Sequence, residues 1–485
     1  MDDDVAFRPA VALAKAIRAG ELGSRELLEH YVTRVERLNA RVNAIVTLDL
    51  ERARRQADAA DAARARGELR GPLHGLPMTI KDSFETAGLR STCGVPELAE
   101  HVPATDATAV GRLLAAGAVV FGKTNAPTWA MDVQTYNPIF GTTSNPWDAT
   151  RSPGGSSGGA AAALAAGLTG LELGSDIGGS IRNPAHYCGV YGHKPSYGIV
   201  PARGHMPPPP GALADPDIGV IGPLGRSADD LALLLEVIAG PNEHEAVGWR
   251  LALPPPRRGA LRDYRVAAWL DDPACPVDDA VRSRLEATVE ALAKAGVRVD
   301  TRVRPVDFGE AYRDYLRLLL PVTMAGAPES TIAALAEQAS QLAPDDDGLQ
   351  ARLARFATQR HRDWLSTHER RQRYRAQWAA LFRDHDVLLC PASPVTAIEH
   401  DQEGDVFSRT IQVNGKTRLY ADQVAWAGVI GMVFLPATVA PVGRTPAGLP
   451  VGVQIVGPYL EDRTPLDFAR RLGDVIGGFE VPSGW

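Results

Sequence analysis

The chain has 485 residues, 45% of them hydrophobic, with 58 acidic against 51 basic side chains and a formal net charge of −7. This is enough apolar material for a sizeable core, and the charges are spread without a basic block to track a phosphate backbone, which sets nucleic acid aside as a partner. No apolar stretch approaches the roughly 20 residues that span a bilayer, and the opening Met1-Asp2-Asp3-Asp4 is acidic where an export signal is basic, so a soluble cytoplasmic protein with no membrane partner is expected.

Residues 24–40 place Leu27, Leu28, Tyr31, Val32, Val35 and Leu38 on one helical face, with Ser24 as the expected N-cap. From about 43 onward, apolar runs at Asn43 to Leu48, Leu76 to Ile80, Ala118 to Phe121 and Leu168 to Leu173 read as strands, and 50–66, 106–116 and 159–167 read as helices. This alternation predicts an α/β layered fold with a largely parallel sheet. Pro207 to Pro210 predict an extended polyproline segment on a surface loop, and Pro254-Pro255-Pro256 reads as a connection between halves. Beyond it, Arg265 to Trp269 and Arg298 to Val303 read as strands around a helix from Asp278 to Ala295. Residues 308–383 are helical in pattern and highly charged, and end in a strand from Asp386 to Cys390. The four cysteines, Cys93, Cys188, Cys275 and Cys390, have no C-x-x-C spacing and are read as reduced thiols; the eleven histidines are scattered, so no metal site is predicted.

The chemistry is concentrated between 151 and 195. Gly154-Gly155-Ser156-Ser157-Gly158-Gly159 opens an alanine-rich helix, and Gly174-Ser175-Asp176-Ile177-Gly178-Gly179-Ser180-Ile181-Arg182-Asn183 follows. Glycines let a backbone turn tightly and bring several N–H donors close to one point, as the stabilisation of a tetrahedral oxyanion requires. A single such loop reads as an ordinary turn, but two occur here together with Lys81 at the end of a buried apolar run. A lysine in that setting can lose its charge by desolvation and act as a base.

These segments resemble the amidase signature family. The likeness runs through His74-Gly75-Leu76-Pro77, Gly122-Lys123-Thr124-Asn125, Asn145-Pro146-Trp147-Asp148, both serine loops, Cys188-Gly189-Val190-Tyr191-Gly192-His193-Lys194-Pro195 and Gly448-Leu449-Pro450-Val451-Gly452-Val453-Gln454; only about 241–380 has no recognisable motif. The resemblance implies one amidase domain over 1–485, an α/β/α layered fold around a twisted mixed sheet. Its parts would be an N-terminal helical segment about 5–70, a catalytic core about 71–240, a helical excursion about 305–385 and a sheet-completing part about 386–480. It further implies Lys81, a cis-configured Ser156 and the nucleophile Ser180 as catalytic residues, the backbone of Ile177, Gly178, Gly179 and Ser180 as oxyanion donors, and Ser157, Asp176 and Arg182 in support, with no cofactor. His193 and Ala160 depart from the family's usual residues without touching the triad.

The mechanism that follows passes a proton from Ser180 through Ser156 to neutral Lys81, and returns it to the leaving amine. Two other patterns compete. Gly117 to Thr124 satisfies the nucleotide-binding expression G-x-x-x-x-G-K-[ST], but Val119 to Phe121 reads as strand and Pro127 interrupts any helix from Lys123. Residues 154–159 satisfy G-x-S-x-G, but the polar stretch before them is not the buried strand a nucleophile elbow needs. Within the family, the rival is the glutaminase subunit of a tRNA-dependent amidotransferase, from which Asn183 and the proline run depart. The expectation is a stand-alone amidase for small-molecule amides, with esters, anilides and carbamates as further candidates and self-association into a homodimer left open. Trp129, Met131 and Tyr136 are the expected lining of its substrate pocket.

Overall fold

The computed structural model describes residues 3–485, so Met1 and Asp2 of the acidic opening lie outside the described residues. The strands in chain order are β1 (Ile45–Leu48), β2 (Pro77–Lys81), β3 (Val119–Thr124), β4 (Tyr136–Asn137), β5 (Gly141–Thr142), β6 (Glu172–Asp176), β7 (Tyr191–Lys194), β8 (Val220–Gly225), β9 (Arg265–Ala268), β10 (Arg298–Asp300), β11 (Val387–Pro391), β12 (Thr410–Val413), β13 (Lys416–Leu419), β14 (Ala437–Arg444) and β15 (Pro450–Val456). The helices are α1 (Ala10–Ala19), α2 (Ser24–Leu38), α3 (Leu50–Ala65), α4 (Thr108–Ala115), α5 (Gly158–Ala165), α6 (Arg182–Cys188), α7 (Ala228–Ile238), α8 (Asp279–Lys294), α9 (Phe308–Thr323), α10 (Glu329–Gln341), α11 (Leu349–Ala357), α12 (His361–Asp384), α13 (Ala425–Gly431) and α14 (Arg463–Ile476). Among the described residues no helix is long and apolar enough to cross a membrane.

Eleven strands form one sheet in the order β1-β3-β2-β6-β8-β7-β14-β15-β11-β9-β10. The sheet is mixed. Parallel pairs occur on the flanks, β2 with β3 and β6, and β9 with β11 and β10. The centre from β6 through β8, β7, β14 and β15 to β11 is antiparallel, as is the edge pair of β1 and β3. The largely parallel sheet read from the alternation is corrected in this way. It fails because β14 and β15, joined by the short turn Thr445–Leu449, form a hairpin in the middle of the sheet, and antiparallel neighbours need no crossover helix.

Several other expectations shift. Ser24 is the first residue of α2, and Gly23 is its cap; the Asp61 carboxylate of α3 takes the Ser24 and Arg25 N–H groups instead. The strand expected at Leu168 to Leu173 is displaced to Glu172–Asp176, because Thr169 turns its hydroxyl to the Thr79 N–H ahead of the ladder. The proline run is not an extended polyproline segment: Met206 is buried against Cys93 and Val95, and the Met206–Pro207 and Pro207–Pro208 bonds are cis. All four cysteines are free and buried.

What positions the site is the thinness of α5. Its eight residues, Gly-Gly-Ala-Ala-Ala-Ala-Leu-Ala, are all buried. A Cβ on Gly159 would lie 2.4 Å from the Asn125 backbone nitrogen, so only glycine lets the helix start this close to the end of β3. With α6 it covers a small apolar core that includes Ala160, Leu164, Ile181, Ala185, Leu224 and Val439, while α7, α8 and α14 bury the larger core.

Candidate active site

Parallel pairing of β2 on β6, with Ile80 opposite Leu173, carries Lys81 and Ser175 to the same end of the two strands. Lys81 is fully buried, and its Nζ lies 2.7 Å from Ser156 Oγ and 2.9 Å from Ser175 Oγ. Burial pushes its pKa down to about 7, against the opposing influence of Cys93 and Asp176. Ser156 sits just before α5, follows a cis Gly155–Ser156 peptide and is 1% exposed. Ser175 is a neighbour of Lys81 that the sequence did not single out. It lies within the second serine loop, but only the strand register shows that it faces Lys81.

The loop from β6 to α6 carries Ser180. Asp176 closes it from below: its carboxylate accepts from the N–H groups of Gly179 (2.9 Å), Ile181 (3.0 Å) and Arg182 (3.3 Å). It also pairs with the fully buried Arg182 guanidinium at 2.7 Å. Burial alone would raise the Asp176 carboxyl, but Arg182 and the Ile181 N–H hold it down at about 2, so it stays ionised. Arg182 in turn donates to Ala427 O and to Gln454 Oε1, tying the loop to α13 and β15.

Gly179 was expected among the oxyanion donors, yet its N–H is committed to Asp176. Its φ of 108° and the approach of Ala427 Cβ to 2.9 Å from a Cβ built there explain why it is glycine. Among the described residues, the N–H groups of Ile177, Gly178 and Ser180 have no partner within the chain. Ser157 joins the two loops, its N–H donating to Ser180 O at 3.1 Å and its hydroxyl to Ser175 O at 3.4 Å. Ser180 is partly exposed while Lys81 and Ser156 are enclosed. Lys81 and Ser156 are therefore in contact; no hydrogen bond joins the Ser156 and Ser180 hydroxyls in the resting geometry, and Ser180 is held beside them through the main chain of Ser157.

The remaining candidates separate. Trp129 packs with Cys93, Val95 and Met206, Met131 is 40% exposed, and Tyr136 pairs with Thr142 in the β4–β5 ribbon. The intervening Asp132 and Val133 nevertheless lie against the serine loop: a Cβ on Gly155 would be 2.5 Å from Asp132 O. Gly122, Lys123 and Thr124 are in β3, and buried Lys123 donates to Phe84 O and Ser91 Oγ, so the residues of the nucleotide-binding expression form no phosphate loop. No strand directly precedes Ser156, which overturns the nucleophile-elbow reading.

The Amidase family model matches residues 26–466. The chain is 35% identical over 500 residues to a subunit of the glutamyl-tRNA(Gln) amidotransferase of Deinococcus deserti, covering 98% of this chain and 97% of that protein. It is similar to the solved structure of an amidase, with 28% identity and a TM-score of 0.78 over 97% of this chain and all of the other. It is also similar to a 6-aminohexanoate cyclic dimer hydrolase, with 26% identity and a TM-score of 0.77 over 97% of each chain.

Proposed function

The chain belongs to the amidase family and is a hydrolase of carbon–nitrogen bonds, and from that premise we propose that it acts alone on small amides through an acyl-enzyme on Ser180. The observation that carries this reading is the buried Lys81 amine in contact with Ser156, beside a loop that offers unpaired N–H groups around a partly exposed serine. An amine held near pKa 7 by burial is substantially neutral at physiological pH, so it has a lone pair for a proton.

In the proposed reaction Ser156 gives its proton to Lys81 and takes that of Ser180, whose oxygen bonds to the amide carbon. The N–H groups of Ile177, Gly178 and Ser180 hold the oxyanion. Collapse breaks the C–N bond as Lys81, through Ser156, returns the proton to the departing amine, and water resolves the acyl-enzyme by the same relay. Ser175 fixes the amine from its other side. The missing Ser156–Ser180 contact is the kind that tightens once substrate is bound. We place the substrate against the segment that carries Trp129, Met131 and Tyr136, with apolar or aryl amides, anilides and carbamates as the preferred class.

The identity to a subunit of a tRNA-dependent amidotransferase supports a second reading, a glutaminase that works with partner proteins. Protein expressed alone should hydrolyse simple amides and anilides at a rate that added glutamine does not match; activity confined to glutamine in the presence of the partners would favour the second reading. For the chemistry itself, Ser180→Ala should abolish turnover and leave the fold intact. A fluorophosphonate should label Ser180, and a label on Ser156 or Ser157 in its place would overturn the assignment.

A further inference from the structure

The helical excursion reaches the reaction loop at Tyr315. Tyr315 of α9 is fully buried, with its hydroxyl 3.4 Å from Ile177 O. The contact is shaped on both sides. A Cβ on Gly178 would lie 2.6 Å from the Tyr315 hydroxyl oxygen, and one on Gly428 of α13 would lie 2.4 Å from the ring, so two glycines make the space this tyrosine fills. Burial raises the phenol's pKa, and it keeps its proton as a donor.

We propose that Tyr315 is a positioning residue for the oxyanion loop, acting through the Ile177–Gly178 peptide; the inference rests on the serine-amidase reading above. The Ile177 carbonyl and the Gly178 N–H belong to one planar unit and point in opposite directions. Anchoring the oxygen on α9 therefore aims the N–H to the other side, and a hydrogen bond accepted by the carbonyl polarises the peptide and makes its N–H a stronger donor. Asp176 does the complementary task at Gly179 and Ile181. The loop is held by its acceptor at one end and by its donors at the other, which leaves the Gly178 N–H with a direction but no partner among the described residues.

Removing an oxyanion donor outright slows catalysis by about 10²–10³, and loosening one should do less, about tenfold. The test is Tyr315→Phe, which keeps the ring and removes the hydroxyl. The acylation rate read from the p-nitrophenol burst with p-nitrophenyl acetate should fall about tenfold. Inhibition by phenylboronic acid, whose serine adduct is tetrahedral, should weaken by the same factor, while the half-saturating ester concentration changes less than about twofold. A purely structural role would not produce that split. Gly178→Ala should harm the wild-type background more than the Tyr315→Phe background, because the clash is with the oxygen that the second variant lacks. Unchanged acylation and boronate inhibition in Tyr315→Phe, or additive effects of the two changes, would overturn the proposal alone. Full activity in Ser180→Ala, measured alongside, would overturn the serine-amidase reading and this one with it.

Discussion

Lys81 is fully buried, and in the proposed relay this would set the pH dependence of turnover. Only the unprotonated amine can accept a proton, and burial holds its pKa near 7, so amide turnover should rise with pH through about 7 and level off above it. In the proposed relay the same lysine serves twice, for attack and for departure, and an alkoxide leaves with little help whereas an amine cannot leave as its anion. Lys81→Ala should therefore slow amide hydrolysis far more than hydrolysis of a matched ester, within the about 10²–10⁴-fold range of general acid–base steps. Equal losses on both substrates, with acylation rate-limiting for each, or a profile rising only near the roughly 10.4 of free lysine, would rule out the double role. Lys81 was legible in the sequence because it ends an apolar run beside two serine loops. Ser175 was not: the two loops hold several serines, and which of them faces the amine depends on how β2 registers against β6. The direction of the Gly179 N–H was not legible for a similar reason, since only the folded loop shows Asp176 taking it.

Between elements, a buried polar junction outside the site joins β7, β14 and the start of α14. Asp462 accepts from Ser196 N and Ser196 Oγ, each at 2.7 Å, and faces His193 Nε2 at 3.2 Å, with Thr438 Oγ1 2.9 Å from the other ring nitrogen. Burial lowers the His193 pKa, so the ring is neutral and presents Nε2–H to the carboxylate. His193 is thus a structural histidine inside a satisfied network. Asp462→Ala would strand the Ser196 N–H and the His193 ring without an acceptor and should cost about 2–4 kcal/mol. The measurement is urea unfolding, where a lowered midpoint at constant slope is expected and an unchanged midpoint would show that the network contributes nothing. The helices were the readable elements: 50–66 and 159–167 were expected and Leu50–Ala65 and Gly158–Ala165 are found. Periodicity could not disclose β14 and β15, which are buried on both faces and carry glycine and proline.

For the whole molecule, the layered fold followed from alternation alone, but the order of strands did not, because the central hairpin is set by a turn near the C-terminal end of the chain. Since the proposed relay is built only from side chains and backbone, activity should survive dialysis against EDTA; loss restored by zinc or manganese would overturn the serine mechanism. Among the described residues no three or more His, Cys, Asp or Glu are grouped to hold an ion. The enclosure of the relay has one more consequence. Lys81, Ser156 and Ser175 are 0%, 1% and 6% exposed, and Ser180 alone among the four is partly open. Three of the four are thus shut away from solvent within the fold, and in the proposed reaction a substrate bonded to Ser180 would cover the one that is open. If the proposed relay operates there, the hydrogen that ends on the leaving nitrogen would come from Ser180 or from the chain of hydroxyls already in place, and not newly from solvent.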